Sequence, residues 1–72
     1  MTAEIILRDK HHYLMEIHNN QRVETYAAST LKLKGYIEGD ATEFLPYEIE
    51  YVKGYRLTEK GKQVLRELGL IP

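Results

Sequence analysis

The chain has 72 residues, 43% of them hydrophobic, with 11 acidic against 10 basic side chains, a net charge of −1 and no cysteine. That length suits one domain near the lower limit for a self-sufficient core, and the apolar fraction excludes wholesale disorder. Disulfides and thiolate metal sites are excluded outright, and the charge balance gives no global attraction to phosphate.

Residues 1–72 contain no internal repeat, low-complexity tract or linker-like run, so a single domain is expected. A core this small, with neither disulfide nor metal to staple it, makes a homodimer the expected state. No stretch approaches the about 20 apolar residues that span a bilayer. The run Ile5-Ile6-Leu7 is too short for a signal-peptide core, so the reading is of a soluble, cytoplasmic chain without a membrane partner.

In residues 2–18, Ala3, Ile6, Leu7, Leu14 and Ile17 recur at helical spacing with Tyr13 beside them, and Thr2 suits a cap. One helix is expected there. A break near Asp9, with Asp9 capping a second helix over 10–18, is the alternative. A hairpin turning at Asp9-Lys10 is the third. Asn19-Asn20 is a turn signal, because Asn tolerates the left-handed region.

A helix is predicted over 21–34, with Val23, Tyr26, Ala27, Thr30, Leu31 and Lys34 on one face and Gly35 ending it. Tyr36-Ile37-Glu38 has strand character, broken by Gly39-Asp40. Residues 41–46 suit either a wing-tip loop or one helical turn, since Pro46 argues against a central strand. From Tyr47 the pattern alternates: Tyr47, Ile49 and Tyr51 face one way, Glu48, Glu50 and Val52 the other. Lys53-Gly54 interrupts it as a bulge or tight turn, and Tyr55-Arg56-Leu57 resumes extended character.

The last helix is predicted over 59–68. Thr58 is a good N-cap, Glu59 suits the positive pole and Arg66 the negative one, and Val64, Leu65 and Leu68 line one face. Gly69 followed by Leu70 fits a Schellman ending, with Leu70 folding back on Leu65.

Two strings, Leu33-Lys34-Gly35-Tyr36-Ile37-Glu38 and Tyr55-Arg56-Leu57-Thr58-Glu59-Lys60-Gly61-Lys62, resemble winged-helix regulators of the MarR and PadR type over the C-terminal half of the chain. In that family a recognition helix ends at Lys-Gly, a short strand opens the wing, and the returning strand ends in Tyr-x-Leu-Thr-x-x-Gly. The resemblance implies an α+β fold: a small winged helix with two or three N-terminal helices, a β-hairpin wing and a C-terminal helix. It also implies double-stranded DNA as partner and transcription regulation as role. The usual arrangement has three helices before the wing. Here they fit only if the first is a stub ending near Arg8.

On that reading the solvent face of helix 21–34 carries Arg22, Thr25, Ser29 and Lys32 toward bases and phosphates, with Lys53 and Arg56 as further phosphate contacts. Any surface helix shows such a face, and Glu24 beside the stripe repels phosphate. The wing is acidic through Glu38, Asp40, Glu43, Glu48 and Glu50, the opposite of what counterion release favours. A protein partner at the acidic wing is therefore the rival function. The tyrosines suit core or dimer packing better than base stacking. His11, His12, His18 and Glu16 supply no convincing third or fourth ligand, so no metal is expected. No nucleophile–base motif or Gly-rich phosphate loop is present, and neither an enzyme nor a cofactor is expected.

Overall fold

A computed structural model describes residues 7–46 and 48–72. The elements, in chain order, are α1 (Lys10–His18), β1 (Val23–Glu24), α2 (Thr25–Leu33), β2 (Ile37–Glu38), β3 (Glu43–Pro46), β4 (Glu50–Lys53), β5 (Arg56–Leu57) and α3 (Glu59–Glu67). The architecture is α+β with antiparallel sheets. One sheet runs β1-β4-β3, and β2 pairs with β5. The core is Leu14 and Ile17 of α1, Val23, Ala27, Ala28 and Leu31 around α2, Ile37, Val52 and Leu57 from the strands, and Leu65 of α3.

The N-terminal segment is not one continuous helix. Leu7 and Arg8 are helical, Asp9 bends the chain, and α1 starts at Lys10. Asp9 occupies the N-cap position at φ −102° and ψ 20°, but its side chain makes no capping bond. Lys10 Nζ instead satisfies the Leu7 carbonyl at 2.9 Å, which ties the two pieces together. The break reading thus holds and the hairpin reading is overturned. Thr2, Ala3 and Ile6 lie outside the described residues, as does Tyr47.

The expected helix 21–34 is shorter than its pattern. Residues 21–24 are extended, because Val23 and Glu24 pair across β4 with Val52 and Tyr51. Val23 is inward as a strand residue, so it cannot set the phase of the helix that follows. The buried face of α2 is Ala27, Ala28 and Leu31, whereas Tyr26 and Lys34 are exposed.

α1, α2 and α3 end in the same way. In α1, Gln21 N–H bonds the Glu16 carbonyl at 2.8 Å around Asn20, at φ 57°. In α2, Tyr36 N–H bonds the Leu31 carbonyl at 2.9 Å around Gly35; in α3, Leu70 N–H bonds the Leu65 carbonyl at 2.9 Å around Gly69. Each is a Schellman ending that satisfies carbonyls the helix leaves open.

Residues 43–46 form a strand rather than a loop or helical turn. β3 is an edge strand, and Pro46 sits at its end, where a missing N–H costs no ladder bond. In β4 the buried residue is Val52 and Tyr51 is half-buried, with Ile49 exposed just before the strand, so the side that the alternation shares among Glu48, Glu50 and Val52 is the inward one. Pairing with Val23 and Phe44 sets this orientation. Between β4 and β5, Gly54 takes φ +109° against Thr42, whose backbone nitrogen and side chain fill the space of any Cβ. That contact breaks the long hairpin into two short ladders.

Candidate interaction surface

The Thr58 junction joins α3 to the end of α2. The Thr58 hydroxyl accepts from Gly61 N–H at 3.2 Å and donates to the Gly35 carbonyl at 2.6 Å. Thr58 N–H donates to the Tyr36 carbonyl at 3.1 Å, and Lys60 Nζ donates to the Lys34 carbonyl at 2.9 Å. Ile37 pairs with Leu57 and Glu38 with Arg56. The two sequence strings that carry the family resemblance therefore meet in space, and their polar groups satisfy each other.

The six residues predicted to touch DNA do not form one basic face. Arg22 precedes β1 instead of lying on the helix, and its guanidinium stacks over the Tyr51 ring at 4.6 Å. Thr25 is half-buried, with its Oγ1 buried and without a hydrogen-bond partner, so it does not project outward with the others. Ser29 and Lys32 are exposed on α2, and Lys32 pairs with Asp40 at 3.2 Å. Lys53 is half-buried on β4 opposite Glu43. Arg56, on β5, pairs with Glu38 at 3.5 Å. Ser29 and Lys32 share a face of α2, Thr25 is half-buried at the start of that helix, and Arg22, Lys53 and Arg56 lie outside it.

α2 presents outward Tyr26, which the sequence reading placed on the core face, and Leu33, which it placed on neither face. Tyr26 is 46% exposed and Leu33 85% exposed, with Ser29 between them. Ser29, Lys32, Leu33 and Tyr55 line an open recess of about 550 Å³. The signal was available once α2 is started at Thr25, because Tyr26, Ser29, Thr30 and Leu33 then fall at i, i+3, i+4 and i+7. On the β3–β4 hairpin and its turn, Phe44 is 53% and Ile49 49% exposed, and Glu43, Glu48 and Glu50 are exposed as well.

A polar concavity of about 380 Å³ lies between α1 and the β1 edge, lined by Asp9, His12, Tyr13, Glu16, Arg22, Glu24 and Tyr51. Burial, then repulsion from Glu24, raises the Glu16 pKa above its ordinary value, while His12 and Arg22 pull the other way. Hydrogen bonds to Glu24 and then Tyr13 hold the Tyr26 hydroxyl well above the usual phenol range. His11 and His12 stack at 4.2 Å between ring centroids, and His18 is exposed at the far end of α1. Among the described residues no three His, Asp or Glu side chains converge as metal ligands. No helix among them is long and apolar enough to cross a membrane.

No protein-family model, curated protein or solved structure matches this chain.

Proposed function

We propose that this chain is a winged-helix-like, non-catalytic module that binds protein, with the β3–β4 hairpin as its wing. The winged-helix reading is supported by the contact between the Lys34–Glu38 and Tyr55–Gly61 strings and by a hairpin lying between α2 and α3. The departure in helix number persists, since only α1 and α2 precede the wing among the described residues, with Leu7-Arg8 as a fragment ahead of them. The observation that carries the protein-binding reading is the wing itself. It leaves Phe44 and Ile49 about half exposed on a hairpin that also carries the exposed carboxylates Glu43, Glu48 and Glu50, a combination that suits a polar-rimmed apolar contact and repels phosphate.

Fluorescence anisotropy with mixed-sequence duplex DNA at low ionic strength tests this. No saturable binding is expected. Binding that weakens with salt and disappears in Arg22→Ala/Lys32→Ala refutes the reading. The exposed Ser29 and Lys32 on α2 are the observation that favours duplex DNA instead. In that case the same titration gives a salt slope that counts the phosphates neutralised.

A further inference from the structure

Resting on the protein-binding reading for the class of partner, we propose that an acidic segment of another protein, anchored by an apolar side chain, docks on the cation-rimmed hollow beside Tyr36. An open recess of about 520 Å³ lies there, lined by Arg8, Lys10 and His11 at the start of α1, by Val64, Glu67 and Leu68 at the end of α3, and by Tyr36. Lys60 joins it through the same tyrosine. Its Nζ stands 4.6 Å from the centre of the Tyr36 ring, and that of Lys10 5.8 Å. Positions 60, 64, 67 and 68 share one face of α3 at helical spacing.

The cations here differ from those elsewhere on the chain. Among the described residues Lys32, Arg56, Lys62 and Arg66 each pair with a carboxylate, whereas Arg8, Lys10 and Lys60 pair with none. The acids nearest in sequence are engaged elsewhere: Asp9 lines the concavity between α1 and β1, and Glu59 pairs with Lys62 and Arg66. Glu67 is the one carboxylate among the described lining residues, and Gln63 donates to it at 3.3 Å. The two ammoniums are also fixed in place. Lys10 Nζ donates to the Leu7 carbonyl and Lys60 Nζ to the Lys34 carbonyl, both at 2.9 Å, and each ammonium keeps further donors for a ligand. Three cations against one carboxylate call for an anionic partner. The walls choose which kind. Leu68 is 55% exposed and Val64 half-buried, so apolar surface adjoins the cations. A phosphate backbone would use the charges and leave Leu68 in water, whereas an acidic segment bearing a leucine or phenylalanine uses both.

The test follows the backbone amide shifts of the isotope-labelled full chain during titration with a short synthetic peptide of glutamates flanking a pair of leucines. Saturable shifts are expected at Arg8, Lys10, His11, Tyr36, Val64 and Leu68, with binding that weakens as salt rises. Arg8→Glu/Lys60→Glu, at two exposed positions, is expected to weaken binding by about tenfold or more, and Lys32→Glu on α2 by less than about twofold. Serine in place of the peptide's leucines is expected to weaken it by about tenfold as well. Amide dispersion checks each fold; should the charge swap fail to fold, Leu68→Ser reads the same contact from its apolar side. No saturable binding at millimolar peptide overturns the proposal, and so do shifts confined to other surfaces or an affinity indifferent to the leucines or to the charge swap. Self-association of the free chain through these same residues makes a second copy the occupant and also overturns it. Duplex DNA that shifts these amides in preference to the peptide overturns it together with the protein-binding reading. A peptide that fails while DNA is silent overturns this proposal alone and leaves that reading standing.

Discussion

Replacing Gly61 by alanine sets two effects of opposite sign against each other. In an ordinary helix interior Gly→Ala stabilises by about 1 kcal/mol through helix propensity. Gly61, however, is buried where α3 crosses the end of α2, and a Cβ there runs into the Tyr36 carbonyl oxygen with the Leu57 side chain close behind. Backbone cannot step aside as a flexible side chain does. Overpacking of this kind costs about 1–3 kcal/mol. If α3 withdraws to relieve the clash, it stretches the three bonds that hold it to α2: Thr58 N–H to Tyr36, the Thr58 hydroxyl to Gly35, and Lys60 to Lys34. Each is worth about 0.5–1.5 kcal/mol. The net expectation for Gly61→Ala is a loss of about 2 kcal/mol. At about 4–8 °C per kcal/mol for a domain of this size, Tm falls by about 8–16 °C. Thermal and urea unfolding followed by far-ultraviolet circular dichroism reads this, with Gln63→Ala on the exposed face of α3 as a control within about 0.5 kcal/mol of wild type. A Gly61→Ala protein as stable as wild type, or more so, refutes the claim that close approach to Tyr36 is what excludes a side chain there.

Thr58→Val keeps the shape of the side chain but removes both bonds of its hydroxyl, for a loss of about 2 kcal/mol, while Thr58→Ser keeps the bonds and loses under about 1 kcal/mol. Equal urea midpoints for valine and serine would show that the hydroxyl holds nothing together. Glu16 gives a pH signature. Its folded-state pKa is raised by burial and by Glu24, so the stability it contributes is fully present below 4.5 and is lost as pH rises through the raised value. Glu16→Gln stays neutral throughout, so it is expected to be more stable than wild type at neutral pH, with the difference closing in acid. A difference that widens on acidification reverses the sign and removes burial as the cause.

Helix ends were legible because they are decided within a few residues. Asn20, Gly35 and Gly69 each mark a left-handed position, and the structure closes a helix at every one. Thr58 was legible for the same reason. Residues 21–24 were not, since what makes Val23-Glu24 a strand is its partner Val52-Tyr51, nearly thirty positions away, and a two-residue strand has no period to detect. That single error moved the candidate site. Counting a helix from Gln21 put Arg22 on its face and Tyr26 in its core, whereas starting at Thr25 removes Arg22 and exposes Tyr26 and Leu33. The wing failed in a related way. Alternation identified the strand but not which side is inward, because among the described residues of the hairpin Val52 alone is buried, and neighbouring strands fix it.

The residues that carry the family resemblance are silent about a partner, for a physical reason. Thr58, Gly61, Gly35 and Leu57 spend their bonding and packing capacity inside the chain, so they serve equally well whether the surface meets DNA or protein. The partner has to be read from what the fold leaves unsatisfied. Exposed ion pairs such as Lys32–Asp40 and Arg56–Glu38 are worth at most about 1 kcal/mol, so neither by itself keeps its cation from a phosphate. The wing is the greater obstacle, because Glu43, Glu48 and Glu50 travel with any phosphate contact made by Lys53 and reduce the counterion release that drives such binding. Leu33 is 85% exposed, Phe44 53% and Ile49 49%, and apolar surface of this kind is what a protein contact covers and a phosphate backbone does not.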